Sequence, residues 1–291
     1  MADGIVLIDK PQGFTSFDAV AVMRGTLHER KIGHTGTLDP MATGVLPLLV
    51  GKATKLCDIM PVKDKRYTAE IKLGLTTDTL DVWGKQKTDV DCDISEEQFR
   101  EVLPRFVGEI LQTPPMFSAI SKNGVRLYDL ARQGIEVERE KRPVTVYSID
   151  FIEKTAKNTF SVEVFCSAGT YIRTLADDIG RELNVGGCMS ALRRISACGY
   201  GVERCIPLEK AREMTAEQLI LPIETAVESF PAVRVSPAQA KRFSNGGQLS
   251  LDRLKLPENP KGIFAVKDGG KTVGLGEVCA EKDLLNIKCL F

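Results

Sequence analysis

The chain has 291 residues, 43% of them hydrophobic, which is enough to bury one large core and a second small one. Its 39 basic residues balance 39 acidic ones, which excludes a partner held by bulk charge and leaves any nucleic-acid contact to local patches. No apolar run approaches the roughly 18 residues of a membrane span and the first residues carry no signal pattern, so the expected location is the cytoplasm.

Residues 4–9, Gly-Ile-Val-Leu-Ile-Asp, predict a buried strand that ends at Lys10-Pro11-Gln12-Gly13. Thr15 and Asp18 form a capping box for a helix over 16–29, with Phe17, Val20, Met23 and Leu27 on one face. The next stretch, Gly33 to Gly44, holds three glycines, Pro40, one of only two histidines (His34), and Asp39 framed by Leu38 and Pro40. Such a backbone adopts geometries that ordinary residues resist, and irregular segments on a packed scaffold often carry catalytic groups. A plain Asp-Pro turn would give the same local pattern. An apolar run over 45–50 follows. Gly51-Lys52-Ala53 lacks both the upstream glycine and the following Ser or Thr of a phosphate-binding loop.

Tyr67, Ala69, Ile71 and Leu73 alternate with polar residues and predict a half-buried strand. Residues 78–81 and their neighbours read as loop. Ser95 and Gln98 make a second capping box, opening a helix with Phe99, Val102, Leu103 and Phe106 inward. Residues 113–137, led by Pro114 and Pro115, read as an inserted arm with a short amphipathic helix around Val125–Arg132. Strands are predicted at 143–153 and 160–166, and a helix from about 170 to 183 that buries Ile172, Leu175, Ile179 and Leu183. Strands and helices mix without strict alternation, which predicts an α+β core over a doubly wound sheet.

Around residue 230 the texture changes. Pro231, Pro237, Gly246-Gly247, Pro257 and Pro260 punctuate short strands, so residues 229–291 are expected to form a compact, mostly-β domain after a first domain at 1–228. Charge is segregated: 81–109 carries eight acids against four bases, and 231–275 eight bases against three acids. The eight cysteines form no CxxC pair, and with two histidines they argue against a metal site; they read as small, reduced hydrophobes.

Gly33-His34-Thr35-Gly36, followed by Leu38-Asp39-Pro40, Ala42 and Gly44, resembles the signature of the TruB family of tRNA pseudouridine synthases. Further blocks fall in the family's order: residues 9–13, 65–67, 127–134, 169–173 and 192–194. The resemblance implies a pseudouridine-synthase core, a mixed and largely antiparallel sheet with flanking helices, and a C-terminal domain similar to PUA-like RNA-binding domains. It also implies isomerisation of uridine 55 in the T-arm loop of tRNA. Asp39 is then the catalytic aspartate, Arg173 its ion-pair partner, and Tyr67 the platform against the flipped uracil. His34 enters the gap left behind, while Tyr171 and Leu192 line the pocket. Read from the residues alone, Arg173 is an exposed helix arginine pairing with Asp177 at i+4, and Tyr67 and Leu192 are core.

Lys10, Lys65-Arg66, Arg126, Arg132, Arg193-Arg194 and Lys241-Arg242 are candidate phosphate contacts, and the arm at 113–137 a candidate RNA clamp. The reaction consumes no electrons, phosphate or metal, so no cofactor is expected, and no obligate protein partner. Whether the carboxylate attacks the base, attacks the sugar or removes a proton stays open at this level. Two other functions fit the same blocks: a tRNA-binding or folding module with vestigial catalysis, and a relative working in a guide-RNA particle.

Overall fold

The computed structural model describes residues 3–122 and 124–291. They form two compact units. The first comprises the chain up to Asp39, Val45–Val62 and Cys198–Phe291, and the second Pro40–Gly44 and Lys63–Ala197.

In the first unit, strand β1 (Gly4–Lys10) is followed by helix α1 (Ser16–Leu27). The Thr15–Asp18 capping box forms, with the Asp18 carboxylate accepting the Thr15 N–H at 2.8 Å and Thr15 Oγ1 accepting the Asp18 N–H at 3.0 Å. A cap of this kind is worth about 1 kcal/mol. Phe17 departs from the expected inward face. The buried stripe is Ser16, Ala19, Val20 and Met23, which turns Phe17 outward under the Arg24 guanidinium, 5.5 Å from the ring centroid. Strand β2 (Ile32–His34) pairs antiparallel with β3 (Thr43–Val50), Ile32 opposite Val50 and His34 opposite Leu48. β1 lies beside β3 and pairs in parallel with Ile206–Pro207 on its other edge.

The C-terminal residues of this unit form their own five-stranded sheet, ordered Ala232–Arg234, Ile263–Asp268, Lys271–Cys279, Leu284–Leu290, Leu249–Ser250. The mostly-β character agrees with the proline and glycine punctuation. Part of its core is its own: Val233, Phe243, Leu249, Phe264, Val266 and Leu285. Another face is shared, because Ala265, Leu275 and Cys289 pack into one cluster with Ile5, Leu7, Leu49, Leu56, Val227 and Phe230. Side chains from both sides of residue 228 therefore fill a single core.

In the second unit, β4 (Lys65–Leu73) leads into a hairpin of β5 (Leu75–Thr77) and β6 (Gln86–Asp89), then α2 (Glu96–Val102) and β7 (Gly108–Gln112). The arm follows with a hairpin of β8 (Ser121–Lys122) and β9 (Val125–Arg126), then α3 (Leu127–Arg132). Its helix is shorter than the sequence suggests, because Val125 and Arg126 pair with Lys122 and Ser121 and are taken into the hairpin. The unit closes with β10 (Arg142–Ala156), β11 (Thr159–Cys166), α4 (Ile172–Glu182) and β12 (Gly187–Ala197).

Strands β12, β4, β11, β10 and β7 form an antiparallel sheet in that order. β4 is flanked on both edges, and Tyr67, Ala69, Ile71 and Leu73 all turn into the core, as their alternation requires. α4 packs on β12 and β4 and buries Ile172, Leu175 and Ile179. α2 begins at the Ser95–Gln98 capping box, and its Phe99 stacks on Phe160 with centroids 4.2 Å apart. The architecture is α+β with a small mostly-β C-terminal part. Among the described residues no helix is long and apolar enough to cross a membrane.

Candidate active site

The segment after β2 is braced from within the first unit. Thr35 N–H donates to the Pro47 carbonyl at 3.3 Å. The buried Ser16 hydroxyl accepts the Leu38 N–H at 2.7 Å and donates to the Leu38 carbonyl at 3.2 Å. One side chain, 22 residues earlier, thus satisfies both backbone polar groups of Leu38, whose own side chain is buried. Asp39 follows at once and is half-buried. His34 is half-buried at the end of β2. The bracing role of Ser16 was not legible in the sequence, where it is only the residue after a helix cap.

In the second unit, β3 begins against β12. Arg193 lies opposite Thr43 and Arg194 opposite Gly44. Gly44 has φ +103°, and a Cβ there would sit 2.2 Å from the Arg194 carbonyl oxygen, so only glycine fits. Arg194 in turn lies opposite Tyr67 on β4, whose other neighbour is Val164 on β11. Tyr67 and Leu192 are both buried, with Leu192 opposite Ala69.

Arg173 is not the exposed helix arginine that i+4 spacing suggests. It is 4% exposed, and Asp177 pairs with Arg181. Arg173 Nη1 donates to the Thr79 carbonyl at 2.9 Å and Nη2 to the Phe117 carbonyl at 2.8 Å. Its Nη1 also lies 3.7 Å from Oδ2 of Asp81, itself buried. Asp81 falls in a stretch that reads as plain loop. Its Oδ1 accepts the Thr79 hydroxyl at 2.8 Å and the Trp83 N–H at 3.0 Å. The run Asp78-Thr79-Leu80-Asp81 carried one faint signal, since short polar side chains of this kind bond their own backbone. Tyr171, half-buried, occupies the position just before α4.

Two candidate phosphate contacts are interior. Lys10 is fully buried, and its ammonium donates to the Pro11 carbonyl at 2.9 Å and the Phe14 carbonyl at 2.6 Å. It braces the turn after β1 instead of offering surface charge, since a buried cation needs such partners. Arg194 is likewise fully buried. Arg66 is tied to Glu163 at 2.6 Å and lies over the Phe165 ring. Arg126 and Arg132 on the arm, and Lys241 and Arg242 on the helix Pro237–Ser244, are exposed.

Burial pushes the Asp177 and Asp178 carboxyls up, and Arg181 partly offsets this for both. Burial also pushes the Cys166 and Cys188 thiols up to about 11, so they stay protonated and unreactive at neutral pH. All eight cysteines are free. Among the described residues no three His, Cys, Asp or Glu side chains gather where they could hold a metal ion.

Residues 24–172 match the model of the TruB family pseudouridylate synthase N-terminal domain, and 173–228 that of the tRNA pseudouridylate synthase B C-terminal domain. A protein of Dechloromonas aromatica named tRNA pseudouridine synthase B is 45% identical over 278 residues, covering 94% of this chain and 91% of that one. Its namesake in Clostridium perfringens (strain 13 / Type A) is 43% identical over 278 residues, covering 94% of this chain and 95% of that one. Among solved structures, a Cbf5–Nop10–Gar1 complex includes a chain that superposes with a TM-score of 0.73 at 29% identity, over 94% of this chain and 78% of that one.

Proposed function

The chain belongs to the TruB family of pseudouridine synthases, and from that membership we propose that it converts uridine 55 in the T-arm loop of tRNA to pseudouridine, with Asp39 as the catalytic carboxylate. The bond from uracil N1 to ribose C1′ breaks, the base turns, and C5 bonds to C1′. C5 gives up its proton and N1 gains one, so atoms balance and no electrons are exchanged. The carboxylate works at the junction of sugar and base. An ionised form suits either nucleophilic attack or proton removal.

A base in a folded loop must first be extracted, at a cost of a few kcal/mol. Stacking on one aromatic face returns about 1–3 kcal/mol. Tyr67 suits that role because its backbone is set in the middle of a sheet. His34 fills the vacated stack, and Tyr171 and Leu192 wall the pocket. Arg173 supplies a fixed positive charge, held in place by Asp81 and the Thr79 and Phe117 carbonyls. The exposed Arg126 and Arg132 make the arm an RNA clamp, and Lys241 and Arg242 suit residues 229–291 to a PUA-like role on the same tRNA. The enzyme works in the cytoplasm as a single chain.

One observation supports Asp39 most strongly: its neighbour Leu38 has both backbone groups bonded to Ser16, so the carboxylate stands on a braced backbone. The test is Asp39→Asn in a single-turnover assay on unmodified tRNA, with the product position mapped. Isomerisation should vanish while tRNA affinity stays within a few-fold, because phosphate and stacking contacts supply binding. Retained turnover would remove Asp39 from the chemistry. A parent enzyme that binds tRNA without isomerising it would leave only a binding module.

A further inference from the structure

We propose that Trp83 is a nucleobase-stacking contact for the substrate RNA, presented by the loop that also holds Arg173. The inference rests on the tRNA reading above. Trp83 is the chain's one tryptophan and is 55% exposed. An indole offers a large flat face, and leaving it in water forgoes its burial.

The backbone beneath it is rigid. The Trp83 N–H is held by Asp81 Oδ1 at 3.0 Å, and the Val82 N–H by the Met189 carbonyl at 3.0 Å. The Asp81 carbonyl accepts the Thr77 hydroxyl at 2.7 Å and the Gly84 N–H at 3.1 Å, and Asp78 Oδ1 accepts the Lys85 N–H at 2.7 Å. Leu80 takes φ +63°, a conformation kept only where surrounding bonds enforce it. Gly84 lets the turn close, since a Cβ there would meet Thr79 Oγ1 at 2.1 Å and the Thr79 nitrogen at 2.9 Å. A ring presented this way loses little freedom on binding.

Position links the ring to the reaction. One carboxylate, that of Asp81, bonds the Trp83 amide through Oδ1 and lies 3.7 Å from the Arg173 guanidinium through Oδ2. The turn that carries Trp83 is thus tied, through one buried side chain, to the residue assigned the fixed positive charge. Lys85 and Lys87, exposed on the same hairpin, suit the flanking phosphates. The acids further along are partly engaged, Asp91 by Lys157 and Glu96 by Arg100. The four residues of β6, Gln86–Asp89, are polar and exposed, so a single ring among polar side chains fits a base better than a protein partner, which favours a wider apolar patch.

The sole tryptophan makes the test direct. Titrating the full-length protein with unmodified tRNA should quench its indole emission to saturation. Trp83→Ala should raise KM about 5-fold or more, with kcat within about 2-fold, and Trp83→Phe should recover most of the loss. Emission unchanged at saturating tRNA, or a parental KM in Trp83→Ala, would overturn the proposal. A wild-type enzyme that leaves uridine 55 untouched would sink the tRNA-position reading instead, and the emission titration would still decide the stacking.

Discussion

The side-chain amide of Gln112 grips the backbone of Tyr171 from both sides: Oε1 accepts the Tyr171 N–H at 2.9 Å, and Nε2 donates to the Tyr171 carbonyl at 3.2 Å. Gln112 is buried at the end of β7, and Tyr171 immediately precedes α4. The pair sets where Ile172 and Arg173 enter the helix. It also satisfies a backbone donor that the first turn of a helix leaves open.

Replacing Gln112 by Leu keeps the volume and removes both bonds. Unsatisfied buried polar groups cost about 1–3 kcal/mol each, so urea denaturation should show a loss of at least about 1 kcal/mol. Single-turnover rates should fall more than tRNA affinity, since Arg173 shifts with the helix start. Parental stability and rate together would show that the grip is dispensable.

Gly44→Ala should be among the most damaging single-methyl additions in the chain. It combines a left-handed φ with a 2.2 Å approach to the Arg194 carbonyl oxygen, and strain of that kind costs about 1–3 kcal/mol before any clash. A lowered Tm and loss of turnover are expected. A variant melting with the parent would mean β3 and β12 separate here at little cost.

Cutting the chain after residue 228 should not release an intact remainder. Loss of Ala265, Leu275 and Cys289 opens the cluster that also holds Ile5, Leu7 and Leu49, and each large apolar side chain re-exposed costs up to about 1.5–3 kcal/mol. The truncated protein should bind a hydrophobic dye, melt below the parent and aggregate. A soluble fragment with parental Tm would show that the N-terminal face stands without its cover.

The buried Asp177 carboxyl has a pKa raised above its ordinary 3.8, chiefly by desolvation, with the Arg181 charge opposing. The folded form therefore takes up a proton before the unfolded chain does. This contribution favours folding at and below about pH 3.8 and is lost as pH rises through the folded value. Asp177→Asn should remove that slope from the acid limb of the stability curve. An unchanged slope between parent and variant would assign it to other carboxyls such as Asp178.

What the sequence could reveal was local. The Thr15–Asp18 and Ser95–Gln98 caps, the alternation of Tyr67 to Leu73 and the proline-punctuated tail all depend on near neighbours, and the structure has them. The signature around Asp39 was legible only as a family pattern, since Asp-Pro spacing by itself also describes a turn. Asp81 escaped because its meaning lies in Arg173, far along the chain, and Ser16 because its partner is 22 residues away. Lys10 and Arg194 looked like surface charge because residue type says nothing about what will cover it. Val20 and Met23 are buried as the predicted face requires, but Ser16 and Ala19 complete that stripe and leave Phe17 outside it.

Tyr67 has paired strands on both sides, Val164 opposite it on β11 and Arg194 on β12. Amides so placed exchange with solvent only when the sheet itself opens, an event near the global unfolding free energy. The ring proposed to receive the base is therefore mounted on one of the slowest parts of the molecule. Under the proposed function, the motion that admits RNA is assigned to loops and to the arm, with Tyr67 as the fixed reference against which they would close.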